Sequence, residues 1–124
     1  MREIQFTIPW PPSVNHYYVR GRILSQEARS YRESAVWSIW EQCQRRYGTL
    51  HAVDRDWTSI EVVAFPPDDR KRDLDNLLKG LLDAIQHAQA IRDDSQLERI
   101  LIERGRMDTK RGGCCRITLG KKHD

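Results

Sequence analysis

The first residues alternate between apolar and polar side chains, which is typical of a strand with one buried face. The segment 3–8 carries its apolar residues at every second position: Ile4, Phe6 and Ile8. Proline cannot donate to a strand ladder, so the Pro-Trp-Pro-Pro run at 9–12 is expected to end this strand. A polar and basic loop is predicted over residues 13–24.

A long helix is expected after this loop. Ser25 is a suitable N-cap and Gly48 is a stop signal, so the helix is predicted to run to about Tyr47. Its apolar face comprises Ala28, Tyr31, Ala35, Val36, Ile39, Trp40, Cys43 and Tyr47. Trp37 lies off this face, and the sequence leaves open whether a partner or a loop covers it.

A second strand and a second helix follow. Residues 59–65 are apolar on both faces near the end of the segment, which indicates a strand inside a sheet. The helix is predicted from about residue 73 to about residue 89. Its buried stripe comprises Leu74, Leu77, Leu78, Leu81, Leu82, Ile85 and Ala88. Its opposite side carries Asp75, Asn76, Lys79, Asp83, Gln86 and His87.

Two further strands complete the predicted fold. The third covers about residues 97–104, and the fourth carries Cys115, Ile117 and Leu119. The order β-α-β-α-β-β predicts an α+β protein with one mixed four-stranded sheet and two main helices packed against it. The length of 124 residues suits one domain, 1–124.

Composition narrows the class of protein only slightly. The net charge of +3 is modest, although the basic residues are clustered around an acidic motif, which favours a polyanionic partner. The cysteine count of three is odd, no secretory segment opens the chain, and no stretch approaches transmembrane length. We therefore expect free thiols, a cytoplasmic location and no membrane partner.

The strongest chemical signal is the run Arg-Lys-Arg-Asp-Leu-Asp-Asn at 70–76, followed by Asp-Asp-Ser-Gln at 93–96. Carboxylates bind hard cations such as Mg²⁺, and cations bind phosphate. Each piece has an ordinary alternative: helix-start carboxylates, an exit turn, and an i,i+4 pair between Asp75 and Lys79. A calcium EF-hand loop is excluded, because its obligatory glycine position is occupied by Leu78 and its closing glutamate position by Ala84.

These motifs together resemble the RusA family of Holliday junction resolvases. The resemblance covers the run 70–79, Asp83-Ala84, the segment 93–96, and the opening Ile-Pro-Trp-Pro-Pro-Ser-x-Asn-x-Tyr-Tyr at 8–18. The length also fits. One departure is Gln89, where the family often carries glycine at the helix exit.

The resemblance implies an Mg²⁺-dependent homodimer, with Mn²⁺ as a possible substitute, that cuts four-way DNA junctions by paired symmetric nicks in recombination and repair. It implies metal-binding carboxylates at Asp73, Asp75 and Asp94 and an essential lysine at Lys79. Supporting roles near this site are expected for Asn76, Asp83 and Asp93. The predicted DNA contacts are Arg70, Lys71, Arg72, Asn15, Tyr17, Tyr18, Arg20 and Arg22. For at least one of the two tyrosines, packing on the core is the stronger alternative.

Simple geometry adds a constraint on the metal site. Asp75 and Asp94 bracket a helix of about 15 residues, whose ends lie more than roughly 20 Å apart at about 1.5 Å per residue. Either the helix breaks at Gly80, or a partner subunit supplies the missing carboxylate. We predict the second option, a metal site shared across a two-fold axis. Gly80 either permits close approach of helices or is a tolerated surface glycine.

Two other classes of function remain open at this point. One is a nucleic-acid-binding protein without catalytic activity, in which the acidic residues are caps and surface charge. The other is a metal-dependent nuclease for other branched DNA.

Overall fold

The structure, a computed structural model, describes residues 2–21, 23–48 and 55–123. The strands are β1 (Glu3–Pro9), β2 (Tyr18–Arg20), β3 (Ile23–Leu24), β4 (Ser59–Phe65), β5 (Arg99–Arg104) and β6 (Cys114–Gly120). The helices are α1 (Gln26–Tyr47) and α2 (Leu78–His87). Short 3₁₀ turns lie at Val14–His16, Leu74–Leu77 and Asp94–Gln96.

One mixed sheet organises the chain, which confirms the predicted fold class. Its four strands lie in the order β1-β6-β4-β5, with β6 antiparallel to both of its neighbours and β5 parallel to β4. Pro9 and Phe65 both pair with Cys114. The C-terminal ends of β1 and β4 therefore lie at the same end of the sheet.

The helix α1 begins and ends where the sequence predicts. The side chain of Ser25 accepts a hydrogen bond from the backbone N–H of Ala28, as expected of an N-cap. Gly48 closes the helix in the left-handed region, at φ 74°. The apolar face of α1 packs against α2 and β1. The same hydrophobic core contains strand residues such as Phe6, Val62 and Ile117.

The second helix differs from its prediction at both ends. Residues Leu74–Leu77 form a 3₁₀ turn and the α-helix starts only at Leu78, five residues after the predicted start at Asp73. The helix ends at His87, and Gln89 adopts φ 62°, a conformation that glycine tolerates best. A glycine at this position, as the resemblance leads us to expect, would adopt the same conformation without strain.

Two further boundaries differ from the sequence prediction. The segment 13–24 is not only a loop, because Tyr18–Arg20 and Ile23–Leu24 pair as a small antiparallel hairpin. The third strand begins at Arg99 rather than at Leu97, since the preceding residues belong to the turn Asp94–Gln96 and its exit.

Gly80 has a packing role within the single chain. Helix α2 runs through Gly80 without a break, which excludes the predicted alternative of a break there. The residue is buried, and an added Cβ would lie 3.0 Å from Pro11 Cβ and 3.3 Å from Tyr17 Cε2. Gly80 therefore admits the N-terminal segment of its own chain, and is neither a surface glycine nor a contact point between helices.

The three cysteines form no disulfide, which confirms the expectation of free thiols. Cys43, Cys114 and Cys115 are buried and unpaired, and burial raises the pKa of the Cys115 thiol to about 12. None of the helices in the described part of the chain combines the length and hydropathy that crossing a membrane requires.

Candidate active site

The proline-rich segment that follows β1 and the charged segment that follows β4 meet in one groove. The C-terminal ends of β1 and β4 lie at the same end of the sheet. The segment 10–13 therefore faces the segment 70–77. Together they line a groove of about 470 Å³. Asn76 and Asp73 lie in its wall, and the Asn76 backbone N–H donates to the Asp73 carbonyl oxygen at 3.2 Å. The groove is therefore lined by acidic, basic and aromatic side chains from distant parts of the sequence.

The basic run at 70–72 divides between structural contacts and exposed charge. Arg72 donates to both carboxylate oxygens of Asp68, at 2.6 Å and 3.0 Å, and its guanidinium lies 5.6 Å from the Trp10 ring centroid. The hydrogen bond from Arg72 holds the pKa of Asp68 well below its usual range. Arg70 and Lys71 are exposed, and Arg70 Nε also donates to Asp68 Oδ2 at 3.3 Å. Arg72 and Arg70 thus share one carboxylate partner in the loop, and Lys71 adds an exposed cation beside the groove.

Asp73 and Asp75 present carboxylates at the start of the helical segment. Both are exposed, and Asp73 occupies the N-cap position of the Leu74–Leu77 turn without a side-chain capping bond. Within the described residues, no hydrogen bond or ion pair engages either carboxylate. The alternative that these acids serve as ordinary helix caps is therefore wrong for Asp73.

Lys79 lies on the first turn of α2, on the exposed side. It forms no ion pair with Asp75, since the ion pairs of the described chain involve other residues. Its Nζ instead lies 5.6 Å from the ring centroid of Tyr18. The simple i,i+4 pair is therefore not the role of Lys79.

Asp93 and Asp94 play different parts beyond the end of α2. The Asp93 side chain accepts from the Ser95 backbone N–H at 3.0 Å and forms a capping box with Gln96. The hydrogen bonds from Ser95 lower the pKa of Asp93. Asp94 is exposed, and its backbone N–H donates to Gln86 Oε1 at 3.1 Å. Asp93 is a turn cap, whereas the carboxylate of Asp94 has no such use.

One chain does not gather the three candidate metal ligands. Helix α2 spans about 15 Å and the preceding turn adds about 8 Å, so Asp75 and Asp94 lie at opposite ends of a long segment. Among residues 2–21, 23–48 and 55–123, no group of three or more His, Cys, Asp or Glu side chains is placed to hold a metal ion. The oxygen donors suit Mg²⁺ by type, but the set is incomplete within the subunit.

The predicted DNA contacts of the N-terminal loop separate by exposure. Asn15 and Arg20 are exposed and Tyr18 is half-buried. Tyr17 is 0% exposed, so its predicted contact with DNA is wrong: a ring without exposed surface has no face on which a base could stack. Arg22 lies outside the described residues.

Asp83, predicted as a supporting residue on the exposed side of the helix, is instead a partly buried centre of hydrogen bonds. Arg32 donates to its two oxygens at 2.8 Å and 3.0 Å, and the Tyr17 hydroxyl also donates to it. His87 Nε2 lies 3.8 Å from Asp83 Oδ1. The sequence does not reveal this network, because Arg32 and Asp83 are far apart in sequence and neither forms part of a local pattern. The one available signal was the presence of a carboxylate on the helix four residues after Lys79.

A groove that places the exposed carboxylate of Asp73 beside Arg70 and Lys71, with Asp75 two residues further along the chain, has chemistry that suits a metal-assisted phosphodiesterase. The sequence profile of the family described as "Endodeoxyribonuclease RusA" matches residues 9–118. The crossover junction endodeoxyribonuclease rusA of Enterobacteria phage HK97 is 40% identical over 108 residues, which are 85% of each chain. The proteins named crossover junction endodeoxyribonuclease RusA from Shigella sonnei strain Ss046 and Escherichia coli strain K12 are each 34% identical over 122 residues, 96% of this chain and 95% of theirs. The chain belongs to the RusA family of endodeoxyribonucleases.

Proposed function

We propose that this endodeoxyribonuclease is a Holliday junction resolvase, which cuts four-way DNA junctions by paired symmetric nicks in recombination and repair. The names of its relatives as crossover junction enzymes support this substrate. One observation supports the assignment of the site. Of the five aspartates between residues 73 and 94, Asp83 and Asp93 are engaged in hydrogen bonds, and Asp73, Asp75 and Asp94 are the three whose carboxylates have no described partner.

Asp73, Asp75 and Asp94 are the residues proposed to hold Mg²⁺, with Mn²⁺ as a substitute. When bound, such an ion polarises the scissile phosphate and lowers the pKa of a coordinated water. Lys79, four residues after Asp75 on the same helical segment, stabilises the negative charge that develops on the phosphate. Arg70 and Lys71 bind the flanking backbone, and each such contact adds to the salt dependence of binding.

The two edges of the sheet differ in a way that indicates how a dimer forms. The edge of β1 is covered by side chains of α1: Gln5 N–H donates to Tyr47 Oη at 2.9 Å and Thr7 N–H donates to Gln42 Oε1 at 2.8 Å. Arg46 also donates to the Gln5 carbonyl oxygen at 2.9 Å. These bonds occupy backbone groups that would otherwise pair with another strand.

The edge of β5 has no such cover among the described residues. Ile100 is 47% exposed and Leu101 37% exposed, although both are large and apolar. An open apolar edge strand is a template for pairing with another chain. We propose that β5 lies at the seam of a two-fold symmetric homodimer.

This seam would complete the metal site. The turn Leu74–Leu77 contacts β5, and the side chain of Arg104 at the end of β5 donates to the Arg72 carbonyl oxygen. Asp94 instead lies just before Arg99, where β5 begins. A two-fold axis that passes between the two β5 strands, level with their midpoints, would bring the end of each strand beside the start of its partner. Asp73 and Asp75 of one subunit thereby approach Asp94 of the other, as the sequence geometry requires.

The function is tested by single-turnover cleavage of a labelled four-way junction with and without Mg²⁺, beside a flap and a linear duplex of the same sequence. We expect metal-dependent paired cuts in the junction only. Binding without any product at any Mg²⁺ concentration would support the class of non-catalytic binding proteins. Equal cleavage of the flap would support a nuclease for other branched DNA.

We also propose that the enzyme acts in the cytoplasm.

A further inference from the structure

The residue that links the candidate active site to the long helix is Asp83. It lies on α2 four residues after Lys79, with a side chain that is 20% exposed. Arg32 of α1, whose side chain is 27% exposed, donates hydrogen bonds to both carboxylate oxygens of Asp83. The hydroxyl of the fully buried Tyr17 donates to one of the same oxygens. A planar guanidinium forked on a carboxylate fixes orientation as well as distance. Three segments of the chain are therefore locked together one helical turn from Lys79.

The same contacts continue to Lys79 through the hairpin β2–β3. Tyr17 is followed directly by Tyr18, and the two rings pack edge to face with centroids 5.3 Å apart. The Tyr18 ring then lies under Lys79, with Nζ 5.6 Å from its centroid. A ring face attracts an ammonium ion without removing its charge. The position of Tyr18 therefore decides where the Lys79 side chain rests.

Close packing leaves Tyr17 little freedom to move away from this arrangement. Its ring fills the space left by the missing side chain of Gly80, the residue next to Lys79, and Pro11 of the groove fills the rest. Burial raises the pKa of Tyr17, and so does its hydrogen bond to Asp83, so the hydroxyl remains a donor.

We propose that Arg32, Asp83 and Tyr17 form a positioning network that holds Tyr18, and through it Lys79, in the orientation required for cleavage. The inference rests on the proposed catalytic role of Lys79. The network residues do not themselves contact DNA. Their contribution is to keep a long, exposed lysine side chain near one place, where the phosphate can displace it from the aromatic ring.

The test uses Tyr17→Phe, which removes one hydroxyl and keeps the buried ring. Tyr47→Phe is the matched control, because it also removes a tyrosine hydroxyl that bonds to another part of the chain, at the β1 edge far from Lys79. Each protein is studied by single-turnover junction cleavage and by junction binding. Lysine side chains carrying ¹³C-methyl groups report the ring-current shift of Lys79 by NMR, with Lys79→Arg assigning the signal.

We expect Tyr17→Phe to lower the cleavage rate about three- to tenfold, with unchanged junction affinity, and to abolish the ring-current shift of Lys79. Tyr47→Phe should change neither quantity. A slower Tyr17→Phe enzyme that retains the Lys79 shift would overturn the proposal, as would a lost shift with an unchanged rate. If Tyr17→Phe does not fold, Arg32→Lys, which keeps the charge but loses the fork, is judged by the same two readouts.

The same set of variants separates this proposal from the role of Lys79 itself. Full cleavage activity in Lys79→Arg and Lys79→Gln would refute the catalytic role of the lysine, whatever the NMR signal shows. Loss of activity in both, combined with a Tyr17→Phe enzyme of normal rate, would refute the positioning network alone.

Discussion

Asp83 and Asp75 lie on the same short stretch of chain, yet their surroundings are opposite. Asp83 is mostly buried and accepts hydrogen bonds from Arg32 and Tyr17. Asp75 is exposed and no described residue bonds to its carboxylate. A carboxylate whose lone pairs are already filled contributes to the fold, whereas one that stays unpaired beside cations is available to a ligand. Hydrogen-bond partners, more than position in the motif, thus distinguish structural aspartates from the aspartates proposed to be catalytic.

The largest expected effect comes from Asp75→Asn, which removes charge and leaves shape unchanged. We expect junction cleavage to fall about a thousandfold or more, equivalent to roughly 4 kcal/mol of transition-state stabilisation. Junction binding should be unchanged or tighter, because a charge that repels DNA is lost. Single-turnover cleavage and a binding titration measure the two quantities.

The control for this change is Asp69→Asn, at an exposed aspartate of the preceding loop. It should leave the cleavage rate within about twofold of the original. Equal losses in both variants would mean that general surface charge, and not the unpaired carboxylates, governs the reaction.

Asp83→Ala is expected to act mainly on folding stability, whereas Asp75→Asn acts on cleavage. We expect a loss of about 2–3 kcal/mol in the free energy of unfolding, because the buried hydroxyl of Tyr17 and the guanidinium of Arg32 lose their acceptor. Urea unfolding measures this loss. Asp69→Ala, with no such partners, should change the free energy by no more than about 0.5 kcal/mol. A fully stable Asp83→Ala protein would contradict the structural role of Asp83.

A smaller effect is expected from pH. Burial raises the pKa of Asp83, but hydrogen bonds from Arg32 and Tyr17 outweigh it and, with the nearby His87, bring the pKa below its ordinary value of 3.8. A lowered pKa stabilises the fold at pH values above the ordinary one and ceases to do so as pH falls through the folded-state pKa.

The stability advantage of the original protein over Asp83→Asn should therefore be fully present at about pH 5 and shrink below about pH 4. Urea unfolding at a series of pH values measures it. An advantage that persists undiminished to about pH 2 would show that the charge of Asp83 is not what stabilises the network.

The sequence predicts those features that depend on neighbours along the chain. The bounds of α1 and β4 follow from capping and hydrophobic periodicity, and the mixed sheet follows from the order of elements. The start of α2 was wrong because the sequence does not separate a 3₁₀ turn from an α-helix. The sequence predicts that at least one of Tyr17 and Tyr18 packs on the core but not which one, because the burial of Tyr17 depends on Gly80 and Asp83, which lie more than sixty residues away and meet it only in the folded chain.

The metal site shows the complementary case. The length of the helical segment alone indicates that Asp75 and Asp94 cannot meet within a subunit, and the unbroken α2 agrees with this reasoning. The route by which a partner would complete the proposed site lies beyond the sequence, because it depends on which sheet edge remains open. That α1 covers the β1 edge is visible only in the hydrogen bonds of Tyr47, Gln42 and Arg46.

The shared site is tested most directly with a heterodimer of one Asp75→Asn subunit and one Asp94→Asn subunit, co-expressed with two different tags and purified on both. If each site combines Asp75 of one subunit with Asp94 of the other, one site carries both substitutions and the other is intact. We therefore predict that the heterodimer nicks one strand of a four-way junction in Mg²⁺, although both homodimers are inactive. A heterodimer as inactive as its parents would contradict the account, because it would show that each subunit builds its own site.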